Sequence, residues 1–214
     1  MMKVMREIFL ILLSISPAVG ALILYNQLPE TMATHFSINN EVNGTMSRGM
    51  LIITLILLGL IPVIIRGLRF VDPKRANYEQ FSKAFEVSRV GVTVLITVVG
   101  WTIITYNLGN HVDITKVAMV VVGLFFAIMG NYLTQVKHNY MIGIRTPWTL
   151  ANEEIWRKTH RLAGPLMMIG GVISVISSFL SGSAAVIVFI IVIAAASIIP
   201  VFYSYMLYTR NKVK

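Results

Sequence analysis

The stretch AAVIVFIIVIAAASIIPVFYSYM, Ala184–Met206, runs for 23 residues without a Lys, Arg, Asp or Glu. As a helix it rises about 34 Å at about 1.5 Å per residue, enough to cross the roughly 30 Å hydrocarbon core of a bilayer. It does not alternate polar with apolar residues, as a membrane barrel strand must. A helix also satisfies its backbone groups internally, which hydrocarbon requires. Five further uncharged apolar blocks precede it: Ile8–Tyr25, Gly49–Ile65, Val90–Tyr106, Val117–Leu133 and Leu162–Leu180. Of the 214 residues 56% are hydrophobic and only 13% charged, against about 25% charged in a soluble domain. The pattern predicts an all-α polytopic membrane helical bundle of six transmembrane helices.

The net charge of +9 raises the question of nucleic acid, and its placement answers it. Lys3 and Arg6 precede the first block, and Arg66, Arg69, Lys74, Arg75, Lys83 and Arg89 lie between the second and third. Lys137, Arg145, Arg157, Lys158 and Arg161 lie between the fourth and fifth, and Arg210, Lys212 and Lys214 follow the sixth. Only Arg48 and Lys116 fall in the other connections. Alternate loops are therefore basic, so the positive-inside rule puts both termini in the cytoplasm. The charge reads as topology and as attraction to lipid headgroups, with no direct nucleic-acid partner. A cleaved signal peptide is disfavoured because the apolar run continues past Ala18-Val19-Gly20 to Tyr25.

The blocks suggest an N-terminal two-span module (1–66) with an external loop (26–48), a basic cytoplasmic linker (67–89), and a C-terminal four-span module (90–214). The last carries a cytoplasmic loop at 134–161. Asp72-Pro73 signals a turn in the linker, and Ala76–Arg89 is expected as a short amphipathic helix turning Tyr78, Phe81 and Phe85 to lipid. Ser181-Gly182-Ser183 reads as a tight hairpin between the last two spans.

Two loops are too specific to be simple connectors. The outer one holds Leu28-Pro29, then His35-Phe36, then Asn43-Gly44, a tight-turn signal. Its His35, Glu30 and Glu41, with His111 and Asp113, are ligand types for a divalent metal, but their spacing matches no metal motif; no metal and no cofactor is expected. The inner one runs from Asn131 through His138-Asn139 to Gly143-Ile144-Arg145-Thr146-Pro147-Trp148-Thr149-Leu150 and on to Trp156, His160 and Arg161. Pro147 pushes Thr146 out of helical geometry and Thr149 is a good N-cap. Thr149–Leu162 is then expected as an interfacial amphipathic helix before span five, anchored in the headgroups by Trp148 and Trp156. The tentative surface for a lipid, toxin or protein partner is Asn131, Asn139, Gly143, Arg145, Thr146, Pro147, Trp148, Thr149, Trp156, His160 and Arg161.

At Gly143–Leu150, with Trp156 and Arg161 beyond, the sequence resembles the SdpI-type bacterial immunity proteins. The Leu28-Pro29, Thr34-His35-Phe36 and Asn43-Gly44 elements are similar to the module often fused to that signature. The resemblance implies a multi-pass plasma-membrane protein that protects its cell from a secreted, membrane-active peptide toxin. It also implies a signalling arm, in which toxin engagement lets the protein hold a cytoplasmic helix-turn-helix repressor at the membrane. It implies no enzyme activity.

Two other classes compete. A transporter or flippase for an amphipathic molecule or peptide would move its substrate, although no block carries an internal acid, base or histidine of the kind ion pathways use. A metal-dependent membrane enzyme would use Glu30, His35, His111 and Asp113. No Ser–His pair, His-Glu-x-x-His or phosphate loop supports it.

Overall fold

Six long helices follow from the six apolar blocks. The computed structural model describes residues 2–180 and 182–212. The helices are α1 (Met2–Ile23), α2 (Arg48–Val71), α3 (Ser82–Asn107), α4 (Ile114–Leu133), α6 (Glu153–Ser177) and α7 (Ser183–Lys212), with a five-residue α5 (Pro147–Ala151) between α4 and α6. All six are long and apolar enough to cross a membrane, and the chain is a multi-pass membrane protein. Leucines, isoleucines and valines face outward along α1, α2, α6 and α7, as lipid-facing surfaces do.

Helices α1, α2 and α3 pack together, as do α4, α6 and α7, and α3 meets α4 between the two groups. Pro17 shows how the first group is fastened. Lacking an N–H, proline cannot bond the carbonyl four residues back, which here belongs to Leu13. Thr97 Oγ1 of α3 donates to that carbonyl at 2.9 Å, and Ser16 Oγ does so from within α1. Ser14 Oγ donates across to Gly59 O of α2 at 2.8 Å. In the second group small residues bring backbones into contact: a Cβ added at Gly171 would overlap Ala127 N of α4, and one at Gly130 would overlap Met168 N of α6.

The outer loop corrects the purely helical expectation. It forms an antiparallel hairpin of β1 (Thr31–Phe36) and β2 (Val42–Ser47) with an irregular register around His35. The chain reverses at Ser37–Glu41, where Asn40 takes φ +64° and Ser37 N–H donates to Glu41 O. The expected turn at Asn43-Gly44 is instead part of β2. Gly44 lies opposite His35, where an added Cβ would come within 2.8 Å of the His35 Cβ.

Two expected amphipathic helices are also corrected. Residues Arg75–Glu79 form one 3-10 turn, and Ser82–Arg89 are simply the start of α3. Tyr78, Phe81 and Phe85 are buried among Ala84, Leu133, Val136 and Trp156 rather than turned to lipid. Thr149–Leu162 is not one interfacial helix. Thr146 caps α5, Asn152 breaks the run and caps α6 with its side chain, and residues 153–162 belong to the fifth spanning helix. Pro147 fits the first position of a helix, so the cap falls on the residue before it. The expected turn at 181–183 includes Ser181, which lies outside the described residues.

Candidate functional site

The inner loop, 134–152, closes the end of the bundle where the basic residues gather. Its backbone folds around one side chain. Asn139 is fully buried, its Nδ2 donating to Lys137 O and Ile142 O while its Oδ1 accepts from the N–H groups of Met141 and Ile142 at 2.8 and 2.7 Å. The linker after α2 reaches across to hold this turn. Asp72, buried, accepts the Tyr78 hydroxyl at 2.8 Å and the Tyr140 N–H at 2.9 Å, and it caps its own turn through Lys74 N–H. Lys74 Nζ approaches His138 Nδ1 at 2.8 Å, and Asn77 Nδ2 donates to His138 O. Burial, with the Lys74 charge adding to it, holds His138 below its ordinary pKa, so the imidazole stays neutral and accepts from the ammonium. Burial first, then the Asp72 carboxylate, pushes the Tyr78 hydroxyl well above its ordinary value and keeps it a donor.

A ring stack forms the centre. Trp156 and His160, one helical turn apart on α6, lie 4.1 Å between centroids at 21°, and His138 packs 5.1 Å from Trp156. Trp156 Nε1 donates to Val136 O at 2.9 Å. His160 Nε2 accepts from Ile144 N–H at 3.0 Å, and Nδ1 sits 2.8 Å from Trp156 O. That pair of partners fits one species, the neutral ring protonated on Nδ1. Gly143 makes this possible: its φ is +114°, and any Cβ there would overlap His160 Nε2 and come within 3.1 Å of the indole.

Beyond the stack, Thr146 and Thr149 bond reciprocally as a capping box, and Thr149 Oγ1 donates to Ile144 O at 2.8 Å. Thr146 Oγ1 also meets Ser204 Oγ of α7 at 3.2 Å, while Trp148 packs against Tyr205 and Tyr208 with ring centroids 5.0 and 6.3 Å away. The loop thus ties the linker, α4, α6 and α7 at one end of the molecule.

Asn139, Thr146, Thr149, Trp156 and His160 are therefore buried. Trp156 is not a headgroup anchor, because its indole N–H is bonded to Val136 O and its ring is buried against His160 and His138. Asn131, Arg145, Pro147 and Arg161 are exposed, and Trp148 is half-buried. Arg145 donates to Tyr140 O at 3.0 Å from the outer side of the turn. The exposed charges at this end are mainly basic: Lys137, Arg145, Arg157, Lys158 and Arg161 reach solvent, with Glu153 and Glu154 among them.

The outer residues sit at the opposite end. Leu28 is buried with Ala21, Met32, Leu51 and Ile104, while Pro29 and His35 are exposed. Phe36 packs edge-on against Tyr106 at 4.7 Å. Asn107 grips the hairpin at two points, Ala33 N and Ala33 O, at 2.8 and 2.9 Å. Among the described residues no three His, Cys, Asp or Glu side chains gather closely enough to hold a metal ion.

The sequence pattern misses a second polar cluster. Glu7 of α1 accepts from Arg89 of α3 through both oxygens, at 3.1 and 2.7 Å, and pairs with Arg66 of α2 at 2.8 Å. Glu86 pairs with Arg89 at 3.0 Å and Arg6 at 3.1 Å. Arg89 is only 2% exposed. Counting bases treats Arg6, Arg66 and Arg89 as topology signals. The available clue is Glu7, an acid placed in the basic segment before the first span.

Comparison with known proteins gives three results. Residues 135–204 match the SdpI/YfhL protein family, and residues 12–60 match a domain of unknown function (DUF1648). The chain is similar to Immunity protein SdpI of Bacillus subtilis (strain 168), 26% identical over 192 residues that cover 89% of each chain. No solved structure matches it. The first matched segment begins in the inner loop and ends at Ser204, the residue that meets Thr146.

Proposed function

The chain belongs to the SdpI/YfhL protein family, and from that premise we propose that it is a membrane immunity protein protecting its cell against a membrane-active peptide toxin. The observation that carries this reading is similarity to an immunity protein across 89% of both chains, which takes in the outer hairpin as well as the inner loop. In this reading both termini are cytoplasmic, which the distribution of bases supports. The toxin is met at the hairpin end or from within the bilayer. The inner loop faces the cytoplasm and offers Lys137, Arg145, Arg157 and Arg161 to an acidic surface on a repressor.

Because Trp156 and His160 are packed inside, engagement acts by changing how tightly the loop is held rather than by displaying Trp156 outright. Toxin shifts such an equilibrium only to the extent that it binds one arrangement better. The Asp72–Tyr78–Tyr140 contacts join the segment between α2 and α3 to the loop and are the natural place for the two arrangements to differ.

The test is complementation. A Bacillus subtilis strain lacking Immunity protein SdpI is grown beside toxin-producing siblings, with and without this chain in its membrane. Survival with the wild-type chain, reduced by Arg145→Ala at equal protein level, is the expected result. Undiminished killing despite normal membrane levels of the chain argues against the proposal for this toxin. For the signalling arm, repressor is expected in the membrane fraction only when toxin and this chain are both present.

A further inference from the structure

A side cavity of about 830 Å³ opens beside α3, and the inner loop makes no use of it. Its mouth lies at the basic end, ringed by Arg6, Arg66, Arg69 and Lys83 with Glu7 and Glu86 between them. From there it runs as a trough between Val90, Val94 and Val98 of α3 and Val121, Leu124 and Ile128 of α4. The wall from Ser82 to Val98 spans about 24 Å of helix at about 1.5 Å per residue. One end of the cavity is thus ionic and the rest hydrocarbon-like.

The charges at the mouth do not cancel. Glu7 and Glu86 are divided among Arg6, Arg66 and the buried Arg89. Arg69 rests over the Phe70 ring and Lys83 over that of Tyr132, so the mouth keeps a net positive charge. Arg6 and Arg66 keep 44% of their side-chain surface exposed even while paired. A free anion has no use for an apolar trough, and a neutral hydrocarbon has none for a cationic mouth. An anionic amphiphile uses both.

We propose that this cavity is a binding site for one anionic phospholipid, its phosphate at the Arg6–Arg66–Arg69–Lys83 mouth and an acyl chain along the α3–α4 trough. The occupant comes from the bilayer, since the trough opens among lipid-facing residues of spanning helices. The leaflet that meets basic loops is also the one rich in anionic headgroups. The assignment is independent of the immunity reading.

The test uses the full chain in neutral detergent, stripped of lipid. Phosphatidylglycerol, phosphatidylcholine and inorganic phosphate are added separately, with bound lipid counted by native mass spectrometry and folding followed by thermal unfolding. One phosphatidylglycerol is expected to remain bound, with phosphatidylcholine held much more weakly and inorganic phosphate without effect. Arg69→Gln with Lys83→Gln removes two charges outside the ion-pair cluster and should weaken phosphatidylglycerol about 25-fold, at about fivefold per charge. Val94→Trp fills the trough with the mouth intact and should abolish retention. Leu124→Trp repeats this from the facing wall, so that one folded variant suffices. Equal retention of the two lipids, full stabilisation by phosphate alone, or undiminished phosphatidylglycerol in a folded trough-filled variant overturns the assignment.

Discussion

Gly143→Ala is the single methyl group to which the inner loop should respond most. Two costs combine. At φ +114° an alanine is strained by about 1–3 kcal/mol. Its Cβ must also displace the His160 ring, which it would overlap. That breaks the Ile144 N–H to Nε2 bond, and an orphaned buried polar group costs about 1–3 kcal/mol. The sum, about 2–6 kcal/mol, is a large part of a typical folding stability of about 5–15 kcal/mol. At roughly 2–4 °C per kcal/mol for a chain of this size, melting should fall by about 10 °C. Gly109→Ala is the matched control, because Gly109 has φ +88° with nothing within 4 Å of an added Cβ. It bears the backbone strain without the collision. Thermal unfolding in detergent, read by Trp fluorescence because Trp156 adjoins the new methyl, measures both. His160→Ala in the Gly143→Ala background removes the collision partner, so the two substitutions should be less than additive. Equal melting of Gly143→Ala and Gly109→Ala would refute the argument.

Three further outcomes follow from the polar contacts. Asp72→Ala leaves the Tyr78 hydroxyl without its main acceptor and frees the Tyr140 N–H. It should cost about 2–4 kcal/mol and speed trypsin cleavage at Lys137, assayed by timed digestion. Arg89→Ala strands Glu7 and should cost about 3–5 kcal/mol, with Glu7→Gln in the same chain restoring part of the loss in denaturant titration. His138 has a lowered folded pKa, so the unfolded chain binds its proton first as pH falls. Its contribution is complete above the ordinary value of 6.5 and is lost progressively below it. Melting temperature should drop as pH is lowered from 6.5, with a shallower slope in His138→Gln.

Hydropathy located all six helices because lipid acts on every residue of a span, and the signal adds up over each block. Helix ends were less legible. Arg48, Arg66 and Arg69 stop an uncharged block but not a helix, since backbone bonding continues into the headgroup layer, and α2 accordingly runs from Arg48 to Val71. The inner loop stood out by its residues, yet its packing did not. Whether Trp156 meets headgroups or protein is decided by Val136, His138 and Gly143, and amphipathic periodicity along residues 149–162 is blind to them. The Glu7–Arg89 pair is 82 positions apart, and no local pattern relates such positions. The hairpin is not legible in the sequence because its strands, TMATHF and VNGTMS, lack a sustained apolar alternation.

The contact between Thr146 and Ser204 has a temporal side. A ribosome delivers the chain from its N-terminus, so the inner loop and the five spanning helices α1–α4 and α6 have been made before Ser204 and Tyr205 emerge. Until then Thr146 has no partner on α7 and Trp148 lacks the rings of Tyr205 and Tyr208. The loop can take its final form only once the last helix has been delivered and inserted. The contacts that hold one end of the bundle therefore form late, and a molecule that has not yet inserted α7 would present a looser loop to proteases on that side.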